Sequence, residues 1–286
     1  MAINQTQLVD LLTQYRRENW CGIQTPEWQT RIVASMAQES EPAILSRIAP
    51  YSGLPRDPLI LDLGSGVGNF VVACRRRGLR AFGVEPDRIG QGSSLSSLQI
   101  AARRLDSCAF AAATGEQLPF ADATFDLVVL DQVIEHVQNQ TSVLSETVRV
   151  LKPRGAIYIA CPNYLRFYEP HYKVLFFPLL PKFLGSFYLR MRRRDPVLLR
   201  QLTYTTNRRV RKLLRKLNLH FMDLNERGFL DKCMGQTSRA ATKKARAVQL
   251  LAGLPIVSKL VFLAASAYIQ LREGGSEFLA FRESRG

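Results

Sequence analysis

Three observations predict an α/β protein built on a doubly wound, mostly parallel sheet. An apolar run, Leu59-Ile60-Leu61, leads into Asp62 and then three glycines at alternate positions, Gly64, Gly66 and Gly68. Strand and helix patterns alternate regularly from residue 59 to residue 161, the mark of parallel strands joined by crossover helices. A chain of 286 residues, 47% of them hydrophobic, can bury the core that such a sheet requires.

Residues 1–54 read as a helical cap. Leu8, Leu11, Leu12 and Tyr15 make a helical stripe over residues 5–20. Thr25-Pro26-Glu27 looks like the start of a second helix carrying Trp28, Ile32, Val33 and Met36, with Thr25 as its cap. A third helix, 42–48, ends at the proline-rich linker 52–58.

Residues 55–165 form the core. Residues 59–61 suit a buried parallel strand, and 69–78 a helix closed by Gly78. A second strand, 80–84, ends at Glu85-Pro86-Asp87. A weak crossover helix, 89–105, holds Gly90, Gly92 and several serines, and 107–112 is the third strand. The fourth strand, 126–130, ends at Asp131-Gln132-Val133-Ile134-Glu135-His136-Val137. A helix over 143–151, a turn at Lys152-Pro153-Arg154-Gly155 and a fifth strand, 156–161, complete the core.

Residues 166–216 interrupt this alternation with an aromatic, proline-broken stretch, 176–188, followed by Arg190, Arg192, Arg193 and Arg194. Residues 210–217 read as a basic amphipathic helix. Residues 217–286 return to the sheet, with strands at 219–224 and 277–281 around an apolar segment, 247–271. That segment is long enough for a membrane span. Its Pro255 and Lys259 favour a buried or interfacial helix pair instead.

A strand feeding a glycine turn and a helix N-terminus brings bare backbone N–H groups up to a ligand. Dinucleotide sites space their glycines G-x-G-x-x-G, and Asn69 stands where that third glycine would be. Glu85, at the end of the next strand, suits the two hydroxyls of a ribose. The pattern D-x-G-x-G-x-G followed by that acid resembles class I S-adenosylmethionine-dependent methyltransferases; a tight turn in another doubly wound protein is the alternative. The resemblance implies a Rossmann-like sheet of seven strands with the last antiparallel, and S-adenosylmethionine as cofactor. It places the cofactor against Asp62, Gly64, Ser65, Gly66, Gly68, Glu85, Pro86 and Asp131. Thr114-Gly115-Glu116-Gln117-Leu118-Pro119-Phe120 resembles the family's G-D-A-E-x-L-P-F loop beside the adenine, with Thr114 in place of the aspartate and Gly115 in place of the alanine. In such enzymes N-terminal helices often cover the cofactor or substrate; plain packing on the sheet is the other use of residues 1–54.

The carboxyl ends of the strands are where ligands lie in open α/β sheets, and Glu135-His136 follows the fourth of them. The pair resembles the Glu-His dipeptide of ubiquinone-pathway O-methyltransferases and of small-RNA 2′-O-methyltransferases. The latter hold a metal on E-x-x-E-H plus a further histidine, and here Gln132 occupies the first glutamate position; no metal is expected. His171 can converge on the same pocket. Aligning the reactants supplies much of the rate of methyl transfer, and a neutral imidazole is a natural acceptor for a hydroxyl proton. Glu135, His136 and His171 are thus the catalytic candidates, against helix capping by Glu135, packing by His136 and a plain loop role for His171.

The net charge is +15, which points to an anionic partner. Twelve Lys or Arg against one acid between residues 182 and 216 account for +11 of it. Aromatics beside that charge fit an interfacial anchor on an anionic membrane, or a roof over the substrate pocket. Five cysteines without a CxxC pair suit a reducing compartment. Cys74, Cys108 and Cys161 are expected in the core. With no signal-peptide pattern, the expected location is cytoplasmic, peripheral on the inner face of a membrane. The leading expectation is O-methylation of a small or lipid-linked acceptor. An RNA methyltransferase, whose basic stretch would meet phosphates, and a non-catalytic binding scaffold are the alternatives.

Overall fold

The computed structural model describes residues 3–19, 33–34, 41–87, 95–105, 108–233 and 275–282. The apolar segment 247–271, most of the expected second helix and the N-terminal part of the weak crossover helix lie outside them.

Strand β1 (Leu59–Leu63) lies inside the sheet, third of its seven strands, with Ile60 to Leu63 buried. Ile60 joins one core with α2 (Glu41–Ser52) and α3 (Asn69–Arg76), while Leu61 and Leu63 join another with α5 (Gln140–Val150). Around it are β2 (Arg80–Glu85), β3 (Phe110–Ala112), β4 (Phe125–Asp131), β5 (Leu151–Pro162), β8 (His220–Asp223) and β9 (Gly275–Phe281). They form a seven-stranded sheet in the order β3-β2-β1-β4-β5-β9-β8. β1 pairs in parallel with β2 and β4, and only β9 runs against the rest, between β5 and β8. The doubly wound sheet with an antiparallel last strand is therefore present.

Several boundaries differ from the sequence reading, each for a tertiary reason. Helix α4 covers only Ser97–Arg104, started by a capping box in which the Ser96 hydroxyl accepts from Gln99 N–H. The Lys152–Gly155 turn is absorbed into β5, which begins at Leu151 opposite Phe125, then shifts register before Leu127. Arg154 has φ +64° there, so the irregularity is a bulge in the strand. Cys108 is exposed, unlike Cys74 and Cys161, because it precedes the short edge strand β3.

The largest difference concerns the basic helix. Helix α8 (Asn207–Lys216) sinks Val210 and Leu214 into the main core beside Leu151 and Phe278. Its apolar stripe is spent on the sheet; Arg208, Lys212, Arg215 and Lys216 are exposed, while Arg211 is half-buried against Asp223 and Glu226. The interruption proper is thus the stretch between Tyr164 and Thr205, with its own small core of Val174, Phe176, Leu189 and Leu199. It contains the hairpin β6 (Tyr168–Glu169) and β7 (Val174–Leu175), helix α6 (Lys182–Met191) and the short helix α7 (Val197–Gln201). Helix α9 (Leu224–Cys233) then packs Leu224 under the α2 face. Among the described residues no helix is long and apolar enough to cross a membrane.

Candidate active site

The carboxyl ends of β1, β2 and β4 open onto a cleft of about 1110 Å³. Its floor is the glycine turn. Gly64 at φ +75° packs so closely that a Cβ would lie 2.6 Å from Val133 Cγ2. Gly68 at φ +82° is closed off by Phe110 in the same way. A Cβ on Gly66, at φ +52°, would instead meet nothing within 4 Å. Gly66 is thus the glycine that leaves room for a ligand, and Gly64 and Gly68 are the two that let the chain turn.

Glu85 ties this turn to β2. Its Oε2 accepts from Gly66 N–H at 3.0 Å and its Oε1 from Ser97 Oγ at 2.8 Å. Pro86, Thr114, Gly115 and Glu116 complete that end of the cleft, and Tyr15 from α1 (Gln5–Asn19) reaches over it. Helix α1 sits there because Leu8 and Leu12 pack with Val67 and Ile100. Of the residues expected to touch a cofactor, Gly64, Gly66, Glu85, Pro86, Thr114, Gly115 and Glu116 line the cleft. Asp62, Ser65, Gly68 and Asp131 do not. Asp62 is buried, and its carboxyl is held well above the usual range by desolvation and then by the Asp131 and Glu85 carboxylates. A cation beside these crowded acids would relieve their mutual repulsion, and an anion would add to it.

The loop from Thr114 to Asp122 is fixed from behind. Arg149 spans Glu146 at 2.7 Å, Asp122 at 2.8 Å and the carbonyls of Phe120 and Leu118, while Glu146 accepts from Leu118 N–H. Arg149→Ala removes charge-assisted bonds each worth roughly 1.5–3 kcal/mol when well enclosed. Arg149 is about one-third exposed, so a net loss of about 1–2 kcal/mol in urea unfolding is the expected result.

At the other end of the cleft, Gln132 holds φ +58° just after β4, a conformation that ordinary residues adopt at a cost. The chain then turns through Glu135 and His136. Glu135 is fully buried, and neither carboxylate oxygen has a hydrogen-bond partner among the described residues. Burial pushes its carboxyl up to about 7. His136 lines the cleft with its side chain 41% exposed, and its ring meets that of His171 edge-on with centroids 5.4 Å apart. Desolvation, then the neighbouring His171, lowers the His136 imidazole to about 4, leaving it neutral at pH 7. The three catalytic candidates are therefore brought together across 35 residues of chain.

Sequence reasoning missed what holds them. Buried Glu169 accepts from Tyr172 N–H at 2.6 Å and lies 2.8 Å from His171 Nδ1. A carboxylate only accepts, so Nδ1 carries the proton in this contact. Thr203 N–H donates to the Glu135 carbonyl at 2.7 Å, and Thr205 Oγ1 donates to the Pro162 carbonyl at 2.6 Å, which straps the interruption across the ends of β4 and β5. Lys182 and Arg200 reach the cleft by the same folding back. The Glu-Pro-His spacing at 169–171 was the sole local signal.

A family model described as a methyltransferase domain matches residues 61–159, the strands that carry the glycine turn, Glu85 and Glu135-His136. Over this stretch the chain is similar to a methyltransferase domain. Curated relatives of the domain include an uncharacterized methyltransferase of Mycobacterium leprae, 34% identical over 113 residues that make up 40% of each chain. An uncharacterized methyltransferase of Mycolicibacterium gilvum is 37% identical over 102 residues, 35% of this chain and 37% of its own. The chain thus spans about two fifths of the curated relatives it matches. Among solved structures, a SAM-dependent methyltransferase from Archaeoglobus fulgidus is 17% identical, covering 85% of this chain and 92% of its own, with a TM-score of 0.45.

S-adenosylmethionine is the cofactor of this domain class, and the residues present fit it. The open space at Gly66 admits a ligand against backbone, and the Glu85 carboxylate lines the same cleft beside it.

Proposed function

We propose that this chain transfers the methyl group of S-adenosylmethionine to an oxygen of a small or lipid-linked acceptor at a membrane surface. One observation carries the reading: a single cleft joins the glycine turn and Glu85 to His136. When bound, S-adenosylmethionine supplies an electrophilic methyl group on a cationic sulfonium. Glu85 would hold the ribose hydroxyls, and the open side of Gly66 would take the cofactor against the backbone. The Glu135–His136–His171 cluster would face the acceptor, with the neutral imidazole of His136 the member able to take a hydroxyl proton within the cleft.

Lys182 and Arg200 at the acceptor end support a substrate with a negative group, such as the phosphate of a lipid-linked molecule. The surface beside them supports the membrane. Helix α6 leaves Phe183, Phe187 and Met191 64–73% exposed, directly before the exposed Arg190, Arg192 and Arg193. Apolar anchors flanked by arginines match an anionic lipid interface, at about 1 kcal/mol per cation. The chain is expected to co-sediment with vesicles containing anionic lipid, not with neutral ones, and to be released by salt. Absence of binding to both vesicle types would contradict the membrane part. Incubation with methyl-labelled S-adenosylmethionine and a lipid extract tests the acceptor: label in the organic phase is expected. Label in RNA under matched conditions would overturn that assignment in favour of a nucleic-acid substrate.

A further inference from the structure

We propose that Glu135, His136 and His171 form a binding site for a divalent transition-metal cation such as Zn²⁺. The inference rests on the reading of this cleft as a methyl-transfer site and adds a ligand that the sequence argued against. One ligand atom from each of the three residues lies within 4.8 Å of the others. Donor atoms on a tetrahedral zinc sit about 3.4 Å apart, so modest side-chain rotations close the set. Gln132 leaves the set one carboxylate short, and the three ligands that remain include His171 from the turn between β6 and β7.

The chemistry of each donor fits. Glu135 is fully buried with both carboxylate oxygens unpartnered among the described residues. A buried carboxylate without hydrogen bonds costs several kcal/mol unless something positive completes it. His171 gives its Nδ1 proton to Glu169 at 2.8 Å, the carboxylate–histidine arrangement that orients metal-ligating imidazoles and leaves Nε2 to bind. His136 stands at the mouth, half-exposed to the cleft. Two imidazoles and one carboxylate suit zinc, iron, cobalt or manganese rather than calcium or magnesium. Three protein ligands also leave a position open toward the cleft, where an oxygen of water or of the acceptor can enter; His136 takes a hydroxyl proton in the metal-free cleft, and with the cation bound it acts as a ligand instead.

Cobalt(II) titration of the full chain, stripped with a chelator and dialysed, tests the site directly. One Co²⁺ per chain is expected, with a visible absorption band that Zn²⁺ displaces. His136→Ala, a change at a half-exposed position that the fold tolerates, is expected to abolish the band while the thermal melt stays in place. Glu135→Gln, with nearly the same shape, is expected to abolish it too, and Glu169→Gln to weaken binding about 10–100-fold. Absence of cobalt uptake by the folded chain, or a band unchanged in both His136→Ala and Glu135→Gln, would overturn the site. S-adenosylhomocysteine binding to the metal-free chain keeps the two readings apart. If it persists while cobalt fails to bind, the metal site falls and the methyl-transfer reading stands; if it is absent, that reading falls whatever cobalt does.

Discussion

His136→Ala is expected to lower methyl transfer by about two to four orders of magnitude while leaving cofactor affinity nearly unchanged. His136 is the member of the Glu135–His136–His171 cluster that lines the cleft, whereas Glu135 is fully buried behind it. A polar group at that mouth is what an incoming hydroxyl meets. Its loss is felt when the oxygen's charge develops, so kcat falls rather than KM rising. The split is informative because the cofactor is assigned to Glu85 and the glycine turn, not to His136. Single-turnover rates at saturating cofactor measure it. A variant that keeps full turnover would leave positioning alone to explain the reaction and would remove His136 from it.

The second large effect concerns the cofactor. Glu85→Ala is expected to weaken S-adenosylmethionine binding at least about tenfold, since two charge-assisted hydrogen bonds to ribose are each worth roughly 1.5–3 kcal/mol. The structure adds a reason for a larger loss: the same carboxylate accepts from Gly66 N–H and Ser97 Oγ, so its removal also loosens the turn that floors the cleft. Glu85→Gln keeps one acceptor oxygen and nearly the same shape, and its loss should be smaller. Equilibrium dialysis with labelled cofactor ranks the two variants. Equal, unimpaired binding by both folded proteins would remove Glu85 from the site.

The cofactor half of the cleft was legible in the sequence because its signals are local. Leu59-Ile60-Leu61 is buried on both faces, and the three glycines follow within seven residues. Even so, spacing did not say which glycine serves the ligand; that depends on Val133 and Phe110 closing over Gly64 and Gly68. The acceptor half was only partly legible. His171 could be suspected but not placed, because its position depends on Glu169, Thr203 and Thr205 folding the interruption back over β4 and β5. Periodicity identified the basic amphipathic helix α8, yet could not tell a stripe facing lipid from one buried against Leu151 and Phe278. Pro153 and Gly155 read as a turn, and they lie instead in a bulge of β5, where Arg154 and Gly155 exchange backbone hydrogen bonds with Arg282. In each case the missing information was which surface a segment meets.

The central claim is that the cleft between the glycine turn and His136 binds S-adenosylmethionine and its product. Calorimetric titration of S-adenosylhomocysteine into the full chain tests it most directly. The account predicts one saturable site per chain, competed away by S-adenosylmethionine and weakened by Glu85→Ala. A well-folded chain that gives no saturable heat with either compound would contradict it.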